Sequence, residues 1–269
     1  MSQENIKEIV KEKYSRIAEK AATGLGSISC CEPSSCCSDM DYTVFSESYQ
    51  ELKGYNADAD LGLGCGIPTE FAGLKPGHHV LDLGSGAGND CFVARAEVGE
   101  TGKVTGMDFA EAMLDKARQN ALKLGYANVE FIKGDIEQMP LPDNSYDVIL
   151  SNCVLNLVPD KHKAFSEMLR VLKPGGHFCV SDVVLKGQLP EKLRADAEMY
   201  AGCVSGAMQM QEYIDVIVDT GFKNIKVHKQ RKLEIPEEIV RLYLNDEEMA
   251  EFINGSVGLF SVTISGYKH

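Results

Sequence analysis

The sequence predicts an α/β protein built on an open, doubly wound, mostly parallel sheet of about seven strands, with an N-terminal helical arm that carries cysteines and a C-terminal α+β extension. Three observations carry this. From residue 78 onward, short apolar runs alternate with helical stretches, the order that builds βαβ units. The first run, HHVLDLG, is nearly continuously apolar, as expected of a strand buried on both faces. It leads into a glycine-rich turn, GSGAG, that opens a helix.

Each element follows in order. In residues 4–21, Ile6, Ile9, Val10, Tyr14, Ile17 and Ala21 recur at helical spacing and predict an amphipathic helix. Residues 24–38 are rich in Gly, Ser and Cys and predict no regular structure. The stretch to about Pro76 is mixed, and within it LGLGCGIP sets three glycines around Cys65, a signal of sharp turns. VLDLG reads as a strand, 89–98 as a helix, KVTGMD as a strand, AEAMLDKARQNALKLG as a helix, and VEFIKGD and YDVILSN as strands. A helix over about 160–172 is expected to end at KPGG, before the strand HFCVSDV. Residues 184–207 show no period, 209–220 predicts a helix stopped by Gly221, and 236–252 reads as an acidic helical segment. FKNIKVHKQRKLEI and SVTISGYK are β-rich and are expected to add an antiparallel edge pair to the same sheet. The expected division is an arm over 1–74, a ligand-binding core over 75–185, and a covering, sheet-completing segment over 186–269.

Composition narrows the function. The net charge is −13, from 40 acidic against 27 basic residues, which repels polyanions, so nucleic acid is not an expected partner. The N-terminal MSQENIKEIVKEKYSRIAEKA is charged throughout and lacks the apolar core of a signal peptide. No run approaches the ~18 apolar residues of a membrane span. The expectation is a soluble, cytoplasmic protein with no membrane partner. Its nine cysteines are then not expected to form structural disulfides, and an odd number cannot all pair within one chain.

Gly84, Gly86 and Gly88 follow the first strand at G-x-G-x-G spacing, where bare backbone lets a ligand approach closely. The dinucleotide pattern G-x-G-x-x-G is not met, because Asn89 stands at its third position, which argues against a nicotinamide cofactor. Asp108, twenty residues after Gly88, ends the second strand, where a carboxylate accepts both ribose hydroxyls. Strand, glycine turn, helix, strand and acid in that order fit a mononucleoside bound at the carboxyl ends of the strands.

LDLGSGAG, MD, FIKGDIEQMPLPDNSYDVILSN and LKPGGHFCVSD, over about residues 75–185, resemble the class I S-adenosylmethionine-dependent methyltransferases, whose fold is Rossmann-like. The resemblance implies S-adenosylmethionine as cofactor. It sets the loop of Gly84, Ser85, Gly86 and Gly88 against the methionine part and Asp108 on the ribose. Asp135, Ile136 and Glu137 would border the adenine, and Asn152 would lie where the family places the sulfonium.

Three cysteines fall near that expected site. Cys153 sits in SNCVLNLVPDK, immediately past a strand; Cys65 sits in its glycine turn ahead of the core; Cys203 sits in AGCVSGA, after the fifth strand. Small neighbours, Gly64, Gly66, Gly202 and Gly206, leave room for a compact ligand. Three thiolates around one point suit a soft, thiophilic centre. A trivalent metalloid takes them in a pyramid and keeps a lone pair that can attack a sulfonium methyl in line. A single buried cysteine is as readily a small core residue, and that is the reading for Cys91 and Cys179. GLGCGIP, VLDLGSGAGNDCF, SNCVLNLVPDK and AGCVSGA together, over about residues 54–220, are similar to the arsenite S-adenosylmethionine methyltransferases. That resemblance implies As(III) bound by Cys65, Cys153 and Cys203, arsenite and its thiol conjugates as substrates, and a role in arsenic detoxification.

Four further thiols, Cys30, Cys31, Cys36 and Cys37, crowd into SCCEPSSCC. The loop by itself is compatible with a zinc site, a redox relay or a tether with incidental thiols. The resemblance adds an N-terminal cysteine that works with the one matching Cys65. Methylation oxidises arsenic, thiols reduce it again, and an external reductant such as thioredoxin or glutathione clears the resulting disulfide. Cys36 and Cys37 are the catalytic candidates taken from this loop. Two rival functions stay open: a quinone or sterol C-methyltransferase would not need Cys65 or Cys203, and a thiol-rich metalloid-binding protein would not need the cofactor. Tyr14 and Tyr49 are placed to cover the cofactor, Asp90 and Met113 read as helix-start residues, and the six histidines show no ligand spacing.

Overall fold

A computed structural model describes residues 3–22, 46–187, 206–233 and 258–269, with 241, 244, 245 and 249. Its strands β1 (His79–Leu83), β2 (Lys103–Asp108), β3 (Val129–Lys133), β4 (Tyr146–Asn152), β5 (Leu172–Lys186), β6 (Lys223–Leu233) and β7 (Gly258–Tyr267) form one seven-stranded sheet in the order β3-β2-β1-β4-β5-β7-β6. β1 to β5 pair in parallel, while β7 runs antiparallel to β5 and to β6. The expected antiparallel edge pair is therefore present, with the last strand in sequence inserted inside the edge.

Helices cover both faces. Alternation along the strands assigns the cores: Leu81 and Leu83 of β1 join Ile149, Phe178, Phe165, Tyr213 and Phe222 on one side, and Val80 joins Phe92, Val104, Leu114, Val148 and Leu150 on the other. The first core lies under α4 (Lys161–Val171) and α5 (Met210–Asp219), the second under α2 (Asn89–Val98) and α3 (Glu111–Leu124). Phe165 is the aromatic hub of the first core, edge-on to Tyr213 at 5.7 Å and to Phe222 at 6.3 Å. The N-terminal helix α1 (Gln3–Ala22) rests on α3, where its Ala18 is buried with Ala110 and Met113 and its Tyr14 and Ile17 pack alongside.

Local chemistry sets the helix ends. Asp160 caps α4 by accepting from Lys163 N at 2.9 Å. Gly125 closes α3 in the left-handed region, its N–H turned back to the last carbonyls. One expectation fails: KPGG does not terminate a helix but lies inside β5, because α4 already ends at Val171. The β4–β5 register shifts between Tyr146 and Val148, and Gly175 N–H and Gly176 C=O bond the backbone of Lys268 instead. The aperiodic reading of 184–207 also gives way at its start, since β5 runs on to Lys186. The acidic segment 236–252 lies almost wholly outside the described residues.

The strand order reverses at β1, which pairs β2 on one side and β4 on the other. In an open parallel sheet the crevice beyond the carboxyl ends at such a switch is where ligands bind. The segments leaving β1, β2, β3 and β4 meet there.

Candidate active site

A cleft of ≈ 1190 Å³, including open solvent, occupies that crevice. Gly84, Ser85 and Gly86 line it from the β1 turn, Asp108 and Phe109 from the end of β2, Asp135 and Ile136 from the end of β3, and Asn152, Cys153 and Val154 from the end of β4. Gly86 is left-handed at φ +51°, and a Cβ there would meet no atom within 4 Å, so the loop presents bare backbone to the cleft. Asp108 fixes this loop: its carboxylate accepts Gly86 N–H at 2.9 Å and Ala110 N–H at 2.9 Å. Burial pushes the Asp108 carboxyl up, and the backbone donors of Ala110, Gly86 and Phe109 work against that rise.

Two predicted cofactor residues stand off the wall. At Gly88 a Cβ would strike the rings of Phe92 and Phe131, so this glycine serves the packing of α2 against β3. Glu137 instead accepts Asp160 N–H at 2.9 Å and the ammonium of Lys7. Lys7 also bonds Asp135 at 2.7 Å and, with Val10 and Tyr14, brings α1 onto the cleft as one of its walls. The Asp135 carboxyl sits below its ordinary value: burial raises it, and the Lys7 ammonium and Glu137 N–H outweigh that. Tyr49 lines the cleft too, and Met113 belongs both to its wall and to the α1–α3 contact.

The wall has a chemical preference. Ser85 Oγ and Asn89 Oδ1 are buried on it with no hydrogen-bond partner among the described residues, which calls for a polar ligand. Among the described residues its ionisable side chains are Asp60, Asp82, Asp90, Asp108, Asp135 and Lys7, apart from its tyrosines and cysteine, so this wall disfavours phosphates and suits a nucleoside bearing positive charge. A cofactor with a ribose, an ammonium and a sulfonium matches these donors and acceptors, whereas a dinucleotide phosphate does not.

The thiols divide into two kinds. Cys91 is buried in α2 and donates to Asp82 Oδ2 at 3.2 Å, and burial, with Asp82 beside it, pushes its thiol well up; burial pushes Cys179 up to about 12. Both are inert core residues, as expected. Cys153 lies on the cleft wall, in the left-handed region at φ +59°, its N–H given to Ser181 O at 2.8 Å. A non-glycine residue held in that region is uncommon, and here it ends β4 and turns the chain onto the cleft. Cys65 is fully buried just behind the wall that Gly64 lines. Its N–H bonds Asn152 Oδ1 at 3.1 Å, and its carbonyl accepts from Ser261 Oγ and from Arg231 Nη2 at 3.3 Å. Burial and Asp182 push the buried Tyr213 hydroxyl well up, and Cys65 and Cys153 each oppose its ionisation as well. Among the described residues no three His, Cys, Asp or Glu side chains form a metal-binding group. Cys203, Cys36, Cys37, Cys30 and Cys31 lie outside the described residues.

Sequence reasoning missed two buried acid clusters. Asp82 and Asp90 share the cleft wall; burial and the neighbouring Asp90 push the Asp82 carboxyl well up, and burial brings Asp90 to about 6 against the pull of Asn152 and Tyr49. Asp182, next to Ser181 on β5, accepts from the Tyr213 hydroxyl at 3.0 Å, and burial raises it to about 7 although the Lys161 ammonium opposes this. A carboxylate inside an apolar strand run, as in VLDLG and CVSDVV, is the signal that was available.

A methyltransferase-domain family matches residues 74–221. An arsenite methyltransferase from Halobacterium salinarum is 41% identical over 234 residues, covering 83% of this chain and 59% of that protein. A ubiquinone/menaquinone biosynthesis C-methyltransferase from Ectopseudomonas mendocina is 41% identical over only 112 residues, 41% of this chain and 44% of that protein. Among solved structures, an arsenic(III) S-adenosylmethionine methyltransferase from Chlamydomonas reinhardtii shares 36% identity at a TM-score of 0.65, covering 76% of this chain and 67% of that one. The chain thus spans 59% of the length of its Halobacterium relative.

Proposed function

The chain belongs to the methyltransferase family matched over residues 74–221, and on that premise we propose that it moves a methyl group from S-adenosylmethionine to thiol-bound trivalent arsenic, as its arsenite methyltransferase relatives are named for doing. The observation that carries this reading is Cys153 on the cofactor cleft wall, with the Cys65 turn hydrogen-bonded to the neighbouring Asn152. A generic methyl acceptor gives no reason for one buried thiol on that wall and a second just behind it.

In this reading the cofactor supplies an electrophilic methyl carbon on a sulfonium. Asp108 holds the ribose hydroxyls, while Gly84, Ser85 and Gly86 admit the methionine portion. Asp135 and Ile136 flank the base, with Glu137 behind them as the acceptor that anchors Lys7 and Asp160. The Asp82 and Asp90 carboxyls, pushed up by burial, would be drawn towards ionisation by the cationic end. Cys65 and Cys153, with Cys203 as third ligand, hold arsenic as substrate, its lone pair free toward the cleft. Holding both reactants in one frame is worth up to roughly 7–11 kcal/mol in ideal intramolecular cases. Cys36 or Cys37, together with Cys65, gives two electrons to the methylated pentavalent arsenic and returns it to the trivalent state; the two thiols leave as a disulfide, which a thiol reductant such as thioredoxin or glutathione reduces in a reducing, cytoplasmic setting. No helix among the described residues is long and apolar enough to cross a membrane.

We assign the arm to 1–74, the cofactor core to 75–185 and the covering segment to 186–269. Contributions of α1 to the cleft and of Arg231 and Ser261 to the Cys65 turn support one working unit. The test is methyl transfer from labelled S-adenosylmethionine to arsenite in the presence of a thiol reductant. Labelled methylarsenicals are expected from the native chain and not from Cys153→Ser or Cys65→Ser. A native chain that makes none above the Cys153→Ser background, or serine variants that keep full turnover, would reject the reading; the latter result is the one a quinone C-methyltransferase would give.

A further inference from the structure

The resemblance places Asn152 near the cofactor sulfonium, yet its carboxamide is bonded to other partners. Oδ1 accepts Cys65 N–H at 3.1 Å. Nδ2 faces Gly66 O at 2.8 Å, Tyr49 Oη at 2.7 Å and Asp90 Oδ2 at 3.1 Å. Tyr49 Oη lies 3.0 Å from Gly66 O and 2.8 Å from Asp90 Oδ1. These partners fix the amide's orientation, because the reversed group would set its oxygen against a carboxylate and a carbonyl. The backbone on both sides of Cys65 is thus gripped by one side chain from the end of β4. Glycine is required on both flanks: a Cβ at 64 would sit 2.6 Å from Asn152 Nδ2, and one at 66 would sit 2.7 Å from Ser181 Oγ.

We infer that Asn152 is the positioning residue of Cys65, and that with Tyr49 and Asp90 it binds the Cys65 turn to the wall of the cofactor cleft, at the strand end from which Cys153 follows. The inference deepens the arsenic reading by saying what places one of its ligands, although the positioning itself is independent of arsenic. It accounts for three features at once: a half-buried amide with all its groups committed, a tyrosine from residue 49 reaching both the turn and Asp90, and two glycines that close approach demands. Asp90 acts here as an acceptor within the frame, where sequence alone leaves it as a helix-start residue.

The test uses the full chain and reads each cysteine separately. Native protein, Asn152→Asp and Tyr49→Phe are labelled with iodoacetamide and the rate at each thiol followed by peptide mass spectrometry. Asn152→Asp keeps the acceptor for Cys65 N–H but removes the donors to Gly66 and Asp90. Tyr49→Phe is the milder change should the aspartate variant fail to fold. The expected result is faster labelling at Cys65, by about tenfold for loss of hydrogen bonds of this kind, with the core thiols Cys91 and Cys179 within about twofold of native on the same scale. Protection of Cys65 by phenylarsine oxide should weaken in parallel.

Equal acceleration at Cys65, Cys91 and Cys179 would mean general loosening and would overturn the inference. So would an unchanged Cys65 rate accompanied by weaker S-adenosylhomocysteine binding, which would make Asn152 a cofactor ligand alone. If phenylarsine oxide fails to protect Cys65 even in native protein, the arsenic reading is what fails, and the ratio of labelling rates still decides the role of Asn152.

Discussion

Replacing Asp182 with Asn should stabilise the protein increasingly as pH rises. Asp182 is buried in β5, accepts from the Tyr213 hydroxyl at 3.0 Å and from Val183 N–H at 3.0 Å, and is raised by burial from 3.8 to about 7. Asparagine mimics the neutral acid there: its oxygen retains the Val183 bond, and the Tyr213 hydroxyl can turn to accept. The sign follows from linkage. A carboxyl whose folded value lies above its unfolded one costs nothing below the unfolded value, costs progressively more through the interval between the two, and costs the full amount above the folded value. Across the interval from 3.8 to about 7, that amount is about 4 kcal/mol at 1.36 kcal/mol per pH unit. The pull of Lys161 is already inside it. Urea unfolding of both proteins at pH 5 and pH 8 should show the variant's advantage growing by roughly 2.5 kcal/mol. A difference that does not change with pH would refute the claim that Asp182 ionises against its surroundings.

Three other outcomes follow from the same geometry. Asp108→Ala removes the proposed ribose acceptor and the partner of Gly86 and Ala110 N–H, and should weaken S-adenosylhomocysteine binding by about tenfold to a hundredfold in calorimetry. Gly66→Ala drives a methyl into Ser181 and should cost about 1–3 kcal/mol in denaturant unfolding, with a matching fall in methylarsenic output. Tyr213→Phe strips a donor from Asp182, so its cost should be about 1.5–3 kcal/mol at pH 8, where the carboxylate is charged, and smaller at pH 5.

The parts of this molecule that were legible in its sequence are those with local causes. Apolar runs buried on both faces announced β1 and β4, a glycine turn before a helix announced the cleft, and an acid at the end of β2 announced Asp108. The antiparallel edge was legible because β-rich runs late in a βαβ chain have few other places to go. KPGG misled because glycine and proline ordinarily end helices, whereas here the pairing of Gly175 and Gly176 with Lys268, some ninety residues on, draws them into β5. The setting of Asn152 was hidden for the same reason: its partners at Tyr49, Cys65, Gly66 and Asp90 lie 62 to 103 residues away. Spacing suggested where the cysteines stand, but not that Cys65 would be gripped from the end of β4 while Cys153, itself buried, lines the cleft. Nor did the pattern announce Asp182, since an acid within an apolar strand acquires meaning only when Tyr213, 31 residues later, folds over it.

The most direct trial of the account is an anomalous-scattering map of crystals grown with arsenite and S-adenosylhomocysteine. It should show arsenic bonded to the sulfurs of Cys65 and Cys153, beside the nucleoside held at Asp108. Arsenic bound only at other thiols, with those two sulfurs pointing away from each other, would contradict it.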